Sequence, residues 1–313
     1  MKYIVTGGAG FIGSHLVEEL VRHEHDVVIL DNLFSGRTEN IAPFLEKENV
    51  SFVNGSITDL PLLRQIFAGA DGIFHQGAIA SVPWSVAHPL ETHEVNLSGT
   101  LNVLSAARDC GVKKLVFASS AAVYGDHPTL PAQETLIPET LSPYAVSKLA
   151  GEYYCSVFSR LYDLRCISLR YFNVFGPRQD PGSPYSGVIT RFISNTLSHR
   201  PLVIYGDGRQ TRDFVYVRDV VQANVRAMES GEPGVFNIAC GRRINLLELA
   251  SMIREITGIT VPVTFGPPVA GDVRDSLADI TRAQEALGYA PAYTVKSGLE
   301  ETVAWFRKQP GPP

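Results

Sequence analysis

The stretch Tyr3-Ile-Val-Thr-Gly-Gly-Ala-Gly-Phe-Ile-Gly-Ser-His15 decides the fold: an apolar strand runs into a glycine-rich turn, and the turn opens a helix. Gly7, Gly10 and Gly13 recur every third residue. The chain can therefore turn tightly after the strand, let a ligand approach where no Cβ intervenes, and pack the new helix against the sheet. The helix N-terminus then aims its N–H groups at a phosphate. Asp26-Val-Val-Ile-Leu-Asp31 reads as a second buried strand ending in an acid, where folds of this kind hold an adenosine ribose. A carboxylate at Asp31 accepts hydrogen bonds from a 2′-hydroxyl and repels a 2′-phosphate, so NAD is favoured over NADP.

Outward from this stretch, Ile12, Leu16, Val17, Leu20 and Val21 give the first helix an apolar stripe at spacings of three and four. Val50-Ser-Phe-Val53 reads as a third strand, and Asp59-Leu-Pro starts the next helix with an N-cap acid and an early proline. Gly72–His75, Lys114–Ala118 and Arg165–Arg170 are further short apolar runs, separated by helical stretches near 97–110 and 144–162. Such alternation implies right-handed crossovers and an α/β, Rossmann-type doubly wound parallel sheet, with ligands at the carboxyl ends of its strands. After Arg170 the texture changes, since Asn173 to Tyr185 holds three prolines and two glycines. A smaller α/β region begins there. Val235-Phe-Asn-Ile-Ala239 reads as a strand returning to the first sheet, ahead of a helix at Leu246–Ile256, so the two regions are expected to interleave. The expected division is 1–172 with a returning segment at about 214–240, against 173–213 with 241–313.

The chain has 313 residues, 45 % of them hydrophobic, enough for a sizeable core, and a formal charge of −5 that argues against a nucleic-acid surface. Cys110, Cys155, Cys166 and Cys240 suit neither a metal knuckle nor a redox pair, and no metal is expected. The first strand starts too early for a signal peptide and no apolar run is long enough to span a membrane, so a soluble, cytoplasmic protein is expected. The tail Gln309–Pro313 reads as disordered.

Ser142-Pro-Tyr-Ala-Val-Ser-Lys148 opens the 144–162 helix, with Ser142 as N-cap and Pro143 at the first helical position. Tyr144 and Lys148 lie one turn apart on one face, so the ammonium is expected to lower the phenol's pKa and let Tyr144 act as a base near neutrality. Ser119 and Ser120, at the end of the neighbouring strand, are placed to share the proton path.

These residues, with Thr6–Gly13, Asp31-Asn-Leu, Leu169–Gly176, Arg212–Val217 and Gly271-Asp-Val-Arg274, give the chain a resemblance to the extended short-chain dehydrogenase/reductases, most closely to UDP-hexose 4-epimerases. The likeness spans nearly the whole chain. It implies that Tyr144 takes the proton from the sugar 4-hydroxyl, that Ser120 hydrogen-bonds that oxygen, and that Lys148 binds the nicotinamide ribose and tunes Tyr144. NAD accepts hydride from C4, and the keto sugar turns over before the hydride returns. The resemblance also implies that Phe11 and Ile12 lie on the pyrophosphate beside Gly7, Gly10 and Gly13. Asp31 serves the ribose, Asn32, Ser35 and Gly36 belong to the same cofactor site, and Ser56 and Ile57 lie near adenine. Gln76, Gly77, Ala78 and Ala80 lie along the cofactor, and Asn96, Ser119 and Phe172 complete its site.

For the UDP-sugar it implies Ser81, Asn173, Val188, Phe192, Tyr205, Arg212, Arg274 and Ser276, with the two arginines neutralising the diphosphate. Ala121 and Ala122 stand where dehydratases and decarboxylases of the family carry an acid. Trp84 stands where relatives carry varied, often polar residues, and is either a packed loop aromatic or a substrate contact. Small Ser276 leaves room for an N-acetyl group at C2, so UDP-N-acetylhexosamines are expected beside plain UDP-hexoses. A UDP-glucuronate 4-epimerase, a UDP-sugar decarboxylase, and a binding module without chemistry are the alternatives. A homodimer is expected from apolar residues such as Leu101, Leu104, Val157 and Phe158 on the 97–110 and 144–162 helices.

Overall fold

In the computed structural model, residues 1–180, 187–268 and 273–309 are described. Gly271 and Asp272 of the Gly271–Arg274 motif, Tyr185, and Pro310–Pro313 of the tail lie outside them. Six strands appear in the order the sequence implies: β1 (Lys2–Thr6), β2 (Asp26–Asp31), β3 (Val50–Asn54), β4 (Gly72–His75), β5 (Lys114–Ser120) and β6 (Arg165–Tyr171). Between them run α1 (Phe11–Arg22), α2 (Leu60–Phe67), α3 (Val82–Ala87), α4 (Pro89–His93), α5 (Gly99–Asp109) and α6 (Pro143–Leu161). A single wide turn, Glu94–Ser98, joins α4 to α5. Then follow β7 (Asn173–Phe175), α7 (Val188–Leu197), β8 (Leu202–Tyr205), β9 (Thr211–Arg212), β10 (Phe214–Tyr216) and α8 (Val217–Glu229). The chain closes with β11 (Gly234–Ile238), β12 (Ile244–Asn245), α9 (Leu246–Thr257), β13 (Val263–Gly266), α10 (Thr281–Leu287) and α11 (Val295–Phe306).

Seven strands form one parallel sheet in the order β11-β6-β5-β4-β1-β2-β3, the doubly wound arrangement expected from the alternation. The order reverses beside β1, which puts the glycine turn and the ends of β4 and β5 along one carboxyl edge. On one face α1 and α8 pack on the sheet, with Leu16 and Val17 fully buried; burying such a side chain stabilises by roughly 1.5–3 kcal/mol. On the other, α2, α5 and α6 cover Ile4, Ile73, Leu115 and Phe117. Gly151 lets α6 approach β5 closely, since a Cβ there would lie 2.5 Å from the Phe117 ring. The hydroxyl of Ser142 and the carboxylate of Asp59 cap α6 and α2 as the sequence implies, by accepting from Ala145 N and Leu62 N.

Beyond the sheet, α7, α9 and α11 with β8 and β13 enclose a second core around Phe192, Ile204 and Leu249. Leu104 and Phe158 do not face outward. Both are buried in the core under α5 and α6, because these helices lie on the sheet along that side. Val157 is exposed, together with Tyr153 and Leu161 on the same helix. Among the described residues no helix is long and apolar enough to cross a membrane.

Candidate active site

A cleft of about 770 Å³ runs along the carboxyl edge of the sheet, and Gly7, Gly10, Asp31, Gln76, Tyr144 and Lys148 all line it. Gly7 has φ +68°, and a Cβ on it would lie 2.7 Å from the Gly77 nitrogen, so the β1 and β4 turns touch backbone to backbone. Gly10 is the N-cap of α1 without a side-chain acceptor, and no acid lies in the first turn, so the helix end keeps its N–H groups and positive dipole for a ligand. Asp31 is buried at the end of β2, where its Oδ2 accepts from Ala9 N (3.0 Å) and its Oδ1 from Leu33 N (2.8 Å). Burial raises its pKa and those two donors pull it back. A helix-end cradle without side chains, beside an acid with lone pairs to spare, fits a dinucleotide's pyrophosphate and ribose.

The wall after β4 is built on a chain of hydrogen bonds whose direction is fixed. Thr100 Oγ1 donates to Asn96 O, so it accepts from His75 Nε2 (3.0 Å), which leaves His75 Nδ1 to accept from Thr6 Oγ1 (2.8 Å). Thr6 Oγ1 in turn accepts from Gly77 N at 3.1 Å. Burial, then nearby Lys148, push the His75 pKa down to about 3, so the ring stays neutral. Asn96 does not line the cleft; its carboxamide instead clamps Ile79, accepting from its N–H (2.7 Å) and donating to its carbonyl (3.1 Å). Gln76 donates to Tyr171 OH (3.1 Å) and Asn224 Oδ1 (3.0 Å).

At the end of β5 the two adjacent serines part. Ser119 Oγ donates to Glu152 Oε1 at 2.5 Å, and Glu152 forms a buried two-pronged pair with Arg170 (2.7 and 2.8 Å). The Ser119 hydroxyl is therefore committed away from the proton path expected of it. Ser120 Oγ accepts from Ala122 N at 3.1 Å and lies beside Tyr144. Burial raises the Tyr144 pKa, and the neighbouring Ser120 hydroxyl pulls it back. This corrects the expected depression by Lys148: the ammonium lies 5.9 Å from the Tyr144 ring centroid and donates to Ala118 O at 2.7 Å. Burial in turn brings the Lys148 pKa down to about 8.

Of the other residues expected in the cofactor site, Phe11, Ile12, Gly13, Asn32 and Ser35 line the cleft, as do Ser56, Ile57, Gly77, Ala78 and Ala80. Gly36 sits behind Asp31, where a Cβ would press on the carboxylate at 2.7 Å. Phe172 is buried against Tyr124 and does not line it. Ser81 lines the cleft while capping α3. The remaining substrate candidates lie beyond it. Tyr205 and Arg274 line a second cavity of about 430 Å³, where Arg274 makes a two-pronged pair with Asp207 (2.8 and 3.0 Å). Arg212 ends β9, and Ser276 follows the Asp275 that bridges Thr211, with Ser276 N donating to Thr211 O at 3.2 Å. Asn173 is exposed at the start of β7 and Val188 is half-buried at the start of α7. Phe192 is a core residue, held among α7, α9 and β8. Sequence reasoning missed Tyr171, Phe34 and Arg37 in the cleft, although Tyr171 stands directly at the carboxyl end of β6, where such residues gather. Among the described residues no group of three or more His, Cys, Asp or Glu is placed to hold a metal.

Fold and cleft together define a doubly wound, dinucleotide-binding class of protein, with Tyr144 and Lys148 lining the cleft beside the glycine turn. The chain belongs to the NAD dependent epimerase/dehydratase family, whose model matches residues 3–239. It is 41 % identical over 306 residues to the "Putative UDP-glucose 4-epimerase" of Methanocaldococcus jannaschii, covering 97 % of this chain and 98 % of that one. Among solved structures it is similar to the UDP-N-acetylglucosamine 4-epimerase of Methanobrevibacter ruminantium M1 in complex with UDP-N-acetylmuramic acid (TM-score 0.95, 40 % identity, 98 % of both chains). It is also similar to the UDP-glucose 4-epimerase of Thermus thermophilus in complex with NAD (TM-score 0.90, 39 % identity, 98 % of this chain and 99 % of that one). The chain is an NAD-dependent, epimerase-type enzyme of the isomerase class.

Proposed function

We propose that this enzyme inverts the configuration at C4 of UDP-hexoses, both UDP-glucose with UDP-galactose and the N-acetylated pair, through a 4-keto sugar. The observation that supports this reading is that Tyr144 and Lys148 line the same cleft as the glycine cradle and Asp31, with Ser120 beside Tyr144. Tyr144 removes the proton from the C4 hydroxyl and returns it to the opposite configuration, while Ser120 hydrogen-bonds the same oxygen. When bound, oxidised NAD supplies the hydride acceptor and a positive charge that favours the Tyr144 phenolate, which burial otherwise disfavours. Asp31 holds its ribose by hydrogen bonds, Gly7, Gly10 and Gly13 admit the pyrophosphate, and Lys148 binds the nicotinamide ribose. Ala121 and Ala122 leave no acid beside Ser120 to divert the keto sugar into elimination or decarboxylation.

For the nucleotide, Arg212 and Arg274 neutralise the diphosphate, with Asn173, Val188 and Tyr205 beside it and Ser276 toward the sugar. Residues 1–172 with the returning segment form the cofactor region, and 173–213 with 241–313 the UDP-sugar region. We also propose a homodimer closed over the exposed face of α6. The deciding experiment incubates purified protein with UDP-glucose, UDP-galactose, UDP-GlcNAc and UDP-GalNAc and follows C4 by NMR. Inversion is expected; no turnover of any of the four would reduce the chain to a binding module.

A further inference from the structure

An aromatic contact in the lining of the large cleft has no part in the chemistry above. On the β4 side, Trp84 stands on α3 as a fixed post. Its indole stacks on His88 with ring centroids 4.2 Å apart, its Nε1 donates to Glu91 Oε2 at 3.2 Å, and its backbone N–H donates to Ser81 Oγ at 3.1 Å. From the β2 side Phe34 reaches across to it, ring edge to ring face, with centroids 5.6 Å apart and planes at 78°. Both side chains line the cleft.

The arm that carries Phe34 is held at both ends. Leu33 takes φ +59°, a conformation uncommon for a bulky residue. Its N–H is fixed by Asp31 Oδ1 at 2.8 Å, and the Phe34 N–H by Asn32 Oδ1 at 3.2 Å. At the far end Arg37 N donates to Ala9 O at 3.0 Å and its guanidinium pairs with Asp180 at 2.6 Å. Between these anchors Phe34 remains 51 % exposed, and its described ring contact is the one with Trp84. A large ring left half in water is not there to fill a core. It links the segment that follows the ribose acid Asp31 to the segment that follows Gln76 and Ala80, and both rings face the cleft between them.

We propose that Phe34 and Trp84 form a clasp over the cofactor cleft that slows the release of NAD, a role that rests on the proposed function. A redox-neutral inversion requires one cofactor molecule to stay through the whole cycle, because its loss after the first half would strand a keto sugar. One edge-to-face pair is weak enough to part for entry and strong enough to change a release rate by about tenfold.

The test loads wild type, Phe34→Ala, Trp84→Ala and the double variant with NAD, and measures nucleotide retained against time after rapid desalting, by chromatography of the released dinucleotide. Each single variant should release NAD about five- to tenfold faster, and the double variant no faster than the faster single, since loss of either ring opens the clasp. Phe34→Tyr, which keeps the ring edge, should release at nearly the wild-type rate, an outcome that loosening of the loop alone would not give. Unchanged release in both singles, or factors that multiply in the double variant, would overturn the clasp. A wild-type protein that binds no NAD at all would overturn the cofactor reading beneath it, a result distinct from binding with release insensitive to either ring.

Discussion

The ammonium of Lys148 lies 2.7 Å from the carbonyl oxygen of Ala118, on the strand it packs against, and not on the hydroxyl of Tyr144. Lys148 is 5 % exposed, and burial takes its pKa from 10.5 to about 8. The folded value is below the unfolded one, so between about pH 8 and 10.5 the unfolded chain holds the extra proton. Stability then rises with pH across that window, and the penalty is fully present below about pH 8. The shift corresponds to about 3 kcal/mol, from which about 1 kcal/mol is lost when the Ala118 carbonyl has no donor. Lys148→Met should therefore raise stability in urea by about 2 kcal/mol at about pH 7, with a smaller gain at about pH 9.5, while turnover collapses. A variant no more stable than wild type at neutral pH counts against this account.

The two adjacent serines should behave differently. In the proposed reaction Ser120→Ala and Tyr144→Phe each remove a group from the C4 oxygen, and turnover should fall by about 10²-fold or more with NAD still bound. Ser119→Ala takes a donor from Glu152 inside the buried pair with Arg170, which should cost roughly 1–3 kcal/mol of stability with turnover little changed. Turnover and chemical denaturation of all three, side by side, separate the roles. Equal losses of turnover at Ser119 and Ser120 would refute the division.

Asp31→Ala should weaken NAD and admit NADP, because it deletes both the acceptor and the repulsion. The substitution also frees the N–H groups of Ala9 and Leu33, so the loss of NAD affinity should exceed what the ribose contacts alone supply. Calorimetric titration with both cofactors reads the preference directly, and an unchanged ratio removes Asp31 from cofactor choice.

Ser276→Tyr should suppress the N-acetylated substrates and spare the plain hexoses, because only the larger C2 substituent meets the added ring. The ratio of kcat/KM for the two pairs, before and after the substitution, is the measurement. A ratio that does not move places the gate elsewhere.

Tyr153, Val157 and Leu161 recur every fourth residue on α6 and stand 60 %, 45 % and 68 % exposed. A stripe of this kind is expected to close against a second copy about a two-fold axis. Light scattering at micromolar concentration should give twice the chain mass, and Val157→Glu with Leu161→Glu should halve it. A monomeric wild type would refute the dimer.

The sheet is legible because buried parallel strands announce themselves as short apolar runs, and Gly72–His75 falls where its run predicts. Capping chemistry at Asp59 and Ser142 is legible for the same local reason. What the sequence hides are relations between distant residues. Nothing local says that Ser119 turns to Glu152 thirty-three positions on, that Phe34 meets Trp84, or that Leu104 and Phe158 lie on the covered side of their helices. The Tyr144 pKa escapes sequence reasoning because helical spacing gives the proximity of Lys148 but not the water lost around the phenol, and the second effect is the larger.

The registry of β11 against β6, with Ile238 opposite Tyr171, has a mechanical consequence. The chain leaves the sheet after β6 toward β7 and α7, and leaves it again after β11 toward β12 and α9, from the same edge of two bonded strands. The outer lobe is thus joined to the frame that carries the cleft at the ends of these two neighbouring strands, and between them by the passage from β10 into α8, which packs on α1. The ladder fixes where both exits start, so any change in how the outer lobe sits must arise in the loops that follow them.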